Sequence, residues 1–234
     1  GKKVTGLYLD SHDSGMMTKL DKFTSLLPAS NVVFNKRIIF ANETMKLEDY
    51  ATNQLNYTPE LGETAAFDEL MDKLYAQEEL DKIMWFIGAL LTNNMYLIQK
   101  FLFLYGGKGT GKGTVIKIIK LLFDGYHEPI DLAHLTGNSE FATSQVKEVP
   151  LLIDEDSDLS RIQKDTNLLK LTAHEPIPVN AKYKTTYDVI FNGLLVTASN
   201  QRFKVRNIDS GITRRAVVAS PTHETHDGVT YQRL

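Results

Sequence analysis

Nine consecutive residues, Gly106-Gly107-Lys108-Gly109-Thr110-Gly111-Lys112-Gly113-Thr114, restrict this chain more than any other segment. An apolar run, Phe101-Leu102-Phe103-Leu104-Tyr105, leads into them. Val115, Ile116, Ile118, Ile119, Leu121 and Leu122 follow at helical spacing. Strand, glycine-rich loop and helix in that order make a phosphate-binding loop. Glycines let successive N–H groups turn toward one centre, and the helix N-terminus adds partial positive charge there. The spacing Gly106-x4-Gly111-Lys112 places a lysine to reach the β- and γ-phosphates of a nucleotide. The position after the lysine is Gly113, where a Ser or Thr usually ligates Mg²⁺, and Thr114 is the next hydroxyl available. The expected ligands are therefore ATP and Mg²⁺, with residues 106–114 as the nucleotide site and Thr114 sharing the metal.

The 234 residues suffice for one full core and a smaller subdomain. Cysteine is absent, which excludes disulfides and cysteine-ligated zinc and fits a reducing cytoplasm. No apolar run approaches the roughly 18 residues of a membrane span, so no membrane partner is expected. The chain opens Gly1-Lys2-Lys3 without an initiator Met and stops abruptly at Leu234; flanking domains are expected. The net charge of −3 is not that of a protein coating nucleic acid, but its distribution is uneven. Residues 41–82 hold eleven acids and three lysines, whereas residues 176–215 hold seven bases and two acids. The basic stretch suits a local anionic ligand.

Periodicity divides the chain. Residues 64–75 and 78–91 read as amphipathic helices, the second through Leu80, Ile83, Met84, Ile87, Leu90 and Leu91. Trp85 and Phe86 widen its apolar face, which is expected to be buried between subdomains. Thr44 to Tyr50 reads as a short helix. Residues 1–94 are thus expected to form a mainly helical N-terminal subdomain. From residue 95 to 234, apolar strands alternate with helices. Strands are expected at 102–105, 129–132, 151–153 and 194–198. Helices are expected at 112–123, 139–146 and 159–174, and a hairpin at 177–190. The fold class is α/β: a parallel sheet covered on both faces, of the P-loop nucleotide-hydrolase kind.

Three further segments carry chemistry. Pro150-Leu151-Leu152-Ile153-Asp154-Glu155-Asp156 is an apolar strand ending in acids. In an open α/β sheet that end faces the ligand. Asp154 is assigned to the metal, through water, and Glu155 to activating the attacking water; Asp156 is able to displace either by one register step. Leu194 to Asn200 is a second buried strand, whose Asn200 amide can orient that water or sense the γ-phosphate. Asp209-Ser210-Gly211-Ile212-Thr213-Arg214-Arg215 ends in paired arginines before a strand, suited to clamping phosphate or to reaching a neighbour's nucleotide.

The order of these segments resembles the superfamily 3 helicases, particularly the primase–helicase proteins of phages, plasmids and large DNA viruses. The likeness runs from about Leu80 to Val218. It includes Phe103 to Thr114, Leu152-Ile153-Asp154-Glu155, Leu169-Lys170-Leu171-Thr172, Lys182-Tyr183-Lys184, Thr197-Ala198-Ser199-Asn200 and Gly211-Ile212-Thr213-Arg214-Arg215. This resemblance implies an AAA+-like, ATP-driven motor in DNA replication, assembled as a homo-oligomeric ring, usually a hexamer, in the cytoplasm of a host cell. It implies nucleotide between subunits and an arginine finger, Arg214 or Arg215, acting across the interface. It implies a hairpin that grips single-stranded DNA through Lys182, Tyr183 and Lys184: lysines meet phosphates and the aromatic stacks on a base. A fused or associated primase or polymerase domain is also implied. The chain departs from the family at Gly113, at His174-Glu175 where a Gly–Asp turn is frequent, and at Thr213 where an aromatic is common. Two alternatives stand beside this reading. Gly111-Lys112-Gly113-Thr114 also resembles the loop of adenylate kinases, but the stretch from Val115 to Ile153 carries no arginine for a lid. An ATP-gated assembly module is the other.

Overall fold

A computed structural model describes residues 43, 55–137, 139, 142–147, 149–157, 165–180, 186–201 and 211–222. The chain forms two compact units, Gly1–Gly62 and Glu63–Leu234. Of the first, only residues 43 and 55–62 are described, so the expected helix at 44–50 lies outside the described residues.

The second unit begins with two helices, α1 (Ala65–Leu74) and α2 (Gln77–Leu91), close to the expected spans. Leu80, Ile83, Phe86, Ile87 and Leu90 are buried, as the 3.6-residue period requires. Trp85 departs from expectation: it is 46% exposed, whereas Phe86 is 1% exposed. One residue along a helix is a rotation of about 100°, which carries Trp85 off the buried stripe. Helices α1 and α2 belong to the same compact unit as the sheet. Lys82 Nζ donates to Val218 O at 3.0 Å, Ser220 N donates to Glu79 Oε2 at 2.8 Å and Thr222 N donates to Leu74 O at 2.8 Å.

After a 3₁₀ turn at Met95–Leu97 come β1 (Phe101–Tyr105), α3 (Lys112–Leu122), β2 (His127–Pro129) and α4 (Leu132–Leu135). A second 3₁₀ turn (Ala142–Gln145), β3 (Leu151–Asp154) and α5 (Thr166–Ala173) follow. The chain continues through β4 (Ile177–Val179), β5 (Tyr187–Val189), β6 (Leu194–Ser199), α6 (Gly211–Arg215) and β7 (Ala216–Ala219). The expected strand at 129–132 is displaced. Strand β2 ends at Pro129, and Leu132 opens a helical turn instead. Asp131 caps that turn: its carboxylate accepts from His134 N at 2.9 Å.

Five strands form one parallel sheet in the order β2-β3-β6-β1-β7; β4 and β5 pair antiparallel as a separate hairpin. All six residues of β6, and all four of β3, are buried. Neighbouring residues of a strand point to opposite faces, so both faces of the sheet are covered. The α/β class with a doubly covered parallel sheet is therefore what this chain adopts. One face carries Phe101, Phe103, Leu152 and Leu195 in a cluster with Leu132, Leu135, Leu168, Leu171, Ile177 and Val179. Burying each such side chain stabilises the fold by roughly 1.5–3 kcal/mol. The entry to β6 is as tight as backbone allows: a Cβ on Gly193 would stand 2.5 Å from both Val149 O and Pro150 O. Leu194 N donates to Pro150 O at 2.9 Å, which locks the register of β3 and β6.

Strand β6 lies between β1 and β3 although it follows both in sequence. That insertion brings the end of β6 between the glycine loop after β1 and the acids after β3. Of the strand ends, these three build the site.

Candidate functional site

The loop between β1 and α3 adopts the backbone its glycines permit. Gly109 and Gly111 have φ of 76° and 92°, the left-handed region that other residues enter only with strain. Gly111 is the N-cap of α3 and offers no side chain to the first N–H groups of the helix, which lack intrahelical acceptors. They remain available to an anion. Thr110 is buried and donates through Oγ1 to Gly107 O at 2.9 Å, which pins the turn.

Lys112 is the centre of the arrangement. Its Nζ donates to Gly106 O at 2.7 Å, Gly107 O at 2.6 Å and Asn200 Oδ1 at 2.9 Å. Burial holds its pKa below the usual lysine value, and the charge of Asp156 acts in the opposite direction. A desolvated ammonium satisfied only by neutral acceptors attracts a phosphate oxygen strongly, because the added negative charge offsets the cost of burial.

A cleft of about 600 Å³ opens over the loop, a size suited to a nucleotide. Loop residues Lys108 to Thr114 line it together with Lys117, Glu155, Asp156, Ser199 and Asn200. The structure thus brings together the loop, one or more carboxylates and Asn200, which the sequence separates by up to 94 positions. Gly106 and Gly107 lie beneath and hold Lys112 through their carbonyls. Lys117, Lys120 and Ser199 were missed by sequence reasoning. Lys117 was findable, since it stands four residues after Gly113 on the same helical face.

The acids divide. Asp154 is buried, and its Oδ2 accepts from Leu132 N at 2.9 Å and Ser157 Oγ at 2.5 Å. Burial raises its pKa, against the lowering effect of these bonds. It does not line the cleft. Glu155 is exposed and pairs with Lys120 of α3. Asp156 lines the cleft beside Asn200.

The arginines divide too. Arg215 Nη1 donates to Leu169 O at 2.5 Å and to Thr172 Oγ1 at 2.9 Å, so it is committed to α5 of its own chain. Burial, and then the neighbouring Arg214 charge, lower its pKa. Arg214 is exposed. Lys182, Tyr183 and Lys184 lie outside the described residues; β4 and β5 flank them as an antiparallel pair.

His174 takes the αL position that ends α5, with φ of 58° and ψ of 35°. Its Nδ1 is 2.7 Å from Phe191 O and its Nε2 is 2.9 Å from Ile98 O. A residue standing where a glycine is frequent thus adopts the glycine's backbone and adds a side-chain tie.

A family model described as a family of unknown function (DUF5906) matches residues 104–215, the span from β1 to α6. None of the curated proteins matches the chain. Among solved structures, the apo NrS-1 C-terminal region (305–718) is similar at 18% identity and a TM-score of 0.46, over 68% of this chain and 42% of that one. The A form of the apo NrS-1 C-terminal region gives 18% identity and 0.45, over 66% and 41%. JCV helicase, bound to a thiazolopyridine acetamide, gives 13% and 0.38, over 61% and 44%. The chain spans about two fifths of the length of these structures.

Proposed function

We propose that this chain is the ATP-hydrolysing motor of a helicase or translocase of the superfamily 3 type, acting on single-stranded DNA. One observation carries the reading. Lys112 of the glycine loop and Asn200 of the strand inserted between β1 and β3 hydrogen-bond at the edge of a cleft that also holds carboxylates. A loop alone binds phosphate; the added Asn and acids provide for turning it over.

In this reading the N–H groups of residues 107–113 and the Lys112 ammonium hold the β- and γ-phosphates. The residues present suit Mg²⁺, since the Thr114 hydroxyl and the acids after β3 are hard oxygen donors beside the loop. Held by these residues, the ion would supply positive charge to offset that of the phosphates. Glu155 accepts the proton of the attacking water, and Asn200, exchanging Lys112 for that water or the γ-phosphate, orients it. Arg214, exposed at the end of α6, acts as a finger at a neighbouring subunit's nucleotide, which makes the motor a ring of copies of this chain. The hairpin carrying Lys182, Tyr183 and Lys184 grips the DNA. A primase or polymerase domain on the same protein, and a cytoplasmic setting, belong to the same proposal. Among the described residues no helix is long and apolar enough to cross a membrane.

The test is steady-state ATP hydrolysis across protein concentrations, with and without single-stranded DNA. Activity rising faster than linearly with protein, and rising again with DNA, is the expected result. Hydrolysis linear in protein and indifferent to DNA indicates a self-contained nucleotide enzyme, and binding without hydrolysis indicates an ATP-gated assembly module.

A further inference from the structure

Three successive acids, Asp154, Glu155 and Asp156, stand at the end of β3, and each has a different neighbourhood. Asp154, the last residue of the strand, is directed inward. Its Oδ2 is occupied twice, by the backbone N–H of Leu132 at the start of α4 and by the buried Ser157 hydroxyl. Ser157 N in turn donates to Ala198 O at 2.8 Å. Asp154 therefore ties the end of β3, the start of α4 and the end of β6 into one knot. These bonds fix the carboxylate at the turn, and it does not line the cleft.

Asp156 meets that knot through its backbone N–H, which is directed at the Asp154 carboxylate. It is exposed and lines the cleft with Gly113, Thr114, Ser199 and Asn200, and its charge is felt by Lys112. Ser157, bonded to both Asp154 and Ala198, closes the turn on which Asp156 stands.

We infer that Asp156, rather than Asp154, is the carboxylate that faces the metal–phosphate complex, and that Asp154 is a positioning residue that holds the 155–157 turn in place. This rests on the nucleotide reading above. The apolar strand and its terminal acid do not reveal the shift, because the turn after β3 decides which carboxylate returns to the cleft.

The experiment measures ATP affinity of the full chain by calorimetry, with MgCl₂ or with EDTA, beside the melting temperature without ligand. For Asp156→Asn we expect an unchanged melting temperature, undiminished affinity in EDTA, and a Mg²⁺-dependent gain reduced about tenfold or more. For Asp154→Asn we expect a lowered melting temperature together with a reduced Mg²⁺ gain; Ser157→Ala, which removes one donor and keeps the carboxylate, gives a smaller loss of both. An Asp156→Asn chain that keeps the full Mg²⁺ gain overturns the assignment alone. A wild-type chain that binds no ATP in either condition overturns the nucleotide reading and this inference with it.

Discussion

The Lys112 ammonium and the Asn200 carboxamide, 88 residues apart in sequence, meet at 2.9 Å at the edge of the cleft. Neither could be placed against the other from its own segment. Their meeting depends on β6 sliding between β1 and β3. Replacing Asn200 with Ala leaves Lys112 its two carbonyl acceptors, so nucleotide binding should persist within a fewfold. Hydrolysis should fall about a hundredfold, the scale of losing one oriented polar group at a reacting centre. Parallel measurement of Kd and kcat checks the split; a variant that loses binding and rate equally contradicts it.

Lys112 also gives a pH dependence. Burial depresses its pKa, so the folded apo chain releases this proton at lower pH than the unfolded chain does. Stability from this group therefore increases as pH rises from the depressed value toward 10.5. Nucleotide binding works in the opposite sense, since phosphate favours the charged lysine. ATP affinity should weaken as pH rises through the depressed pKa, with proton uptake on binding. Calorimetry in buffers of different ionisation enthalpy reads that uptake directly.

Arg214 and Arg215 should fail in different ways. Arg215→Ala removes donors from Leu169 O and Thr172 Oγ1, and should lower stability by about 1–3 kcal/mol. Thermal melting reports this as a drop of about 2–4 °C per kcal/mol. Arg214→Ala should leave the melting temperature unchanged and reduce hydrolysis about a thousandfold, the scale of losing a finger arginine. Mixing Arg214→Ala subunits with Lys112→Ala subunits should restore part of the activity, because each supplies what the other lacks.

Gly113 is open to repair. A Cβ built there meets nothing within 4 Å. Gly113→Ser should raise stability by about 0.5 kcal/mol by reducing the freedom of the unfolded chain. It also places a hydroxyl at the position from which such loops ordinarily ligate Mg²⁺. Tighter Mg²⁺-ATP binding with unchanged binding in EDTA is the expected result.

At His174 the backbone and the side chain make opposing demands. Both ring nitrogens face carbonyl oxygens, of Phe191 and Ile98. Gly suits the φ of 58° but loses both contacts; Ala loses both and keeps the strain, which costs about 1–2 kcal/mol more. Melting temperatures should run His174, then Gly, then Ala, and a Gly variant above wild type would show that the ring ties contribute nothing.

The loop residues were legible because they are contiguous and chemically unusual, and the buried strands because apolar runs of four to six residues fit little else. Helices α1 and α2 followed from the spacing of Met71, Leu74, Ile83 and Leu90. The position of Asn200 was legible as a strand end, but its neighbour was not. What stayed hidden was set by contacts distant in sequence. Leu132 looked like part of a strand, yet its N–H is claimed by Asp154, which favours a helical turn. Trp85 belonged to an apolar run whose phase only packing against β7 decides. The three acids at the end of β3 are adjacent in sequence and are sorted by contacts with Leu132, Ser157 and Lys120.

Beneath the loop lie two aliphatic side chains. A methyl on Gly106 would stand 2.7 Å from Pro221 Cγ, and one on Gly111 would stand 2.5 Å from Leu74 Cδ2. Leu74 comes from α1, and Pro221 comes from just beyond β7. The phosphate cradle therefore rests on two segments that lie nearly 150 positions apart in sequence. Loosening of either lowers its floor, and a ligand that grips the loop protects both from proteolysis at sites far from the cleft. Occupancy of the cleft becomes a gauge of whether α1 and the segment after β7 are in place.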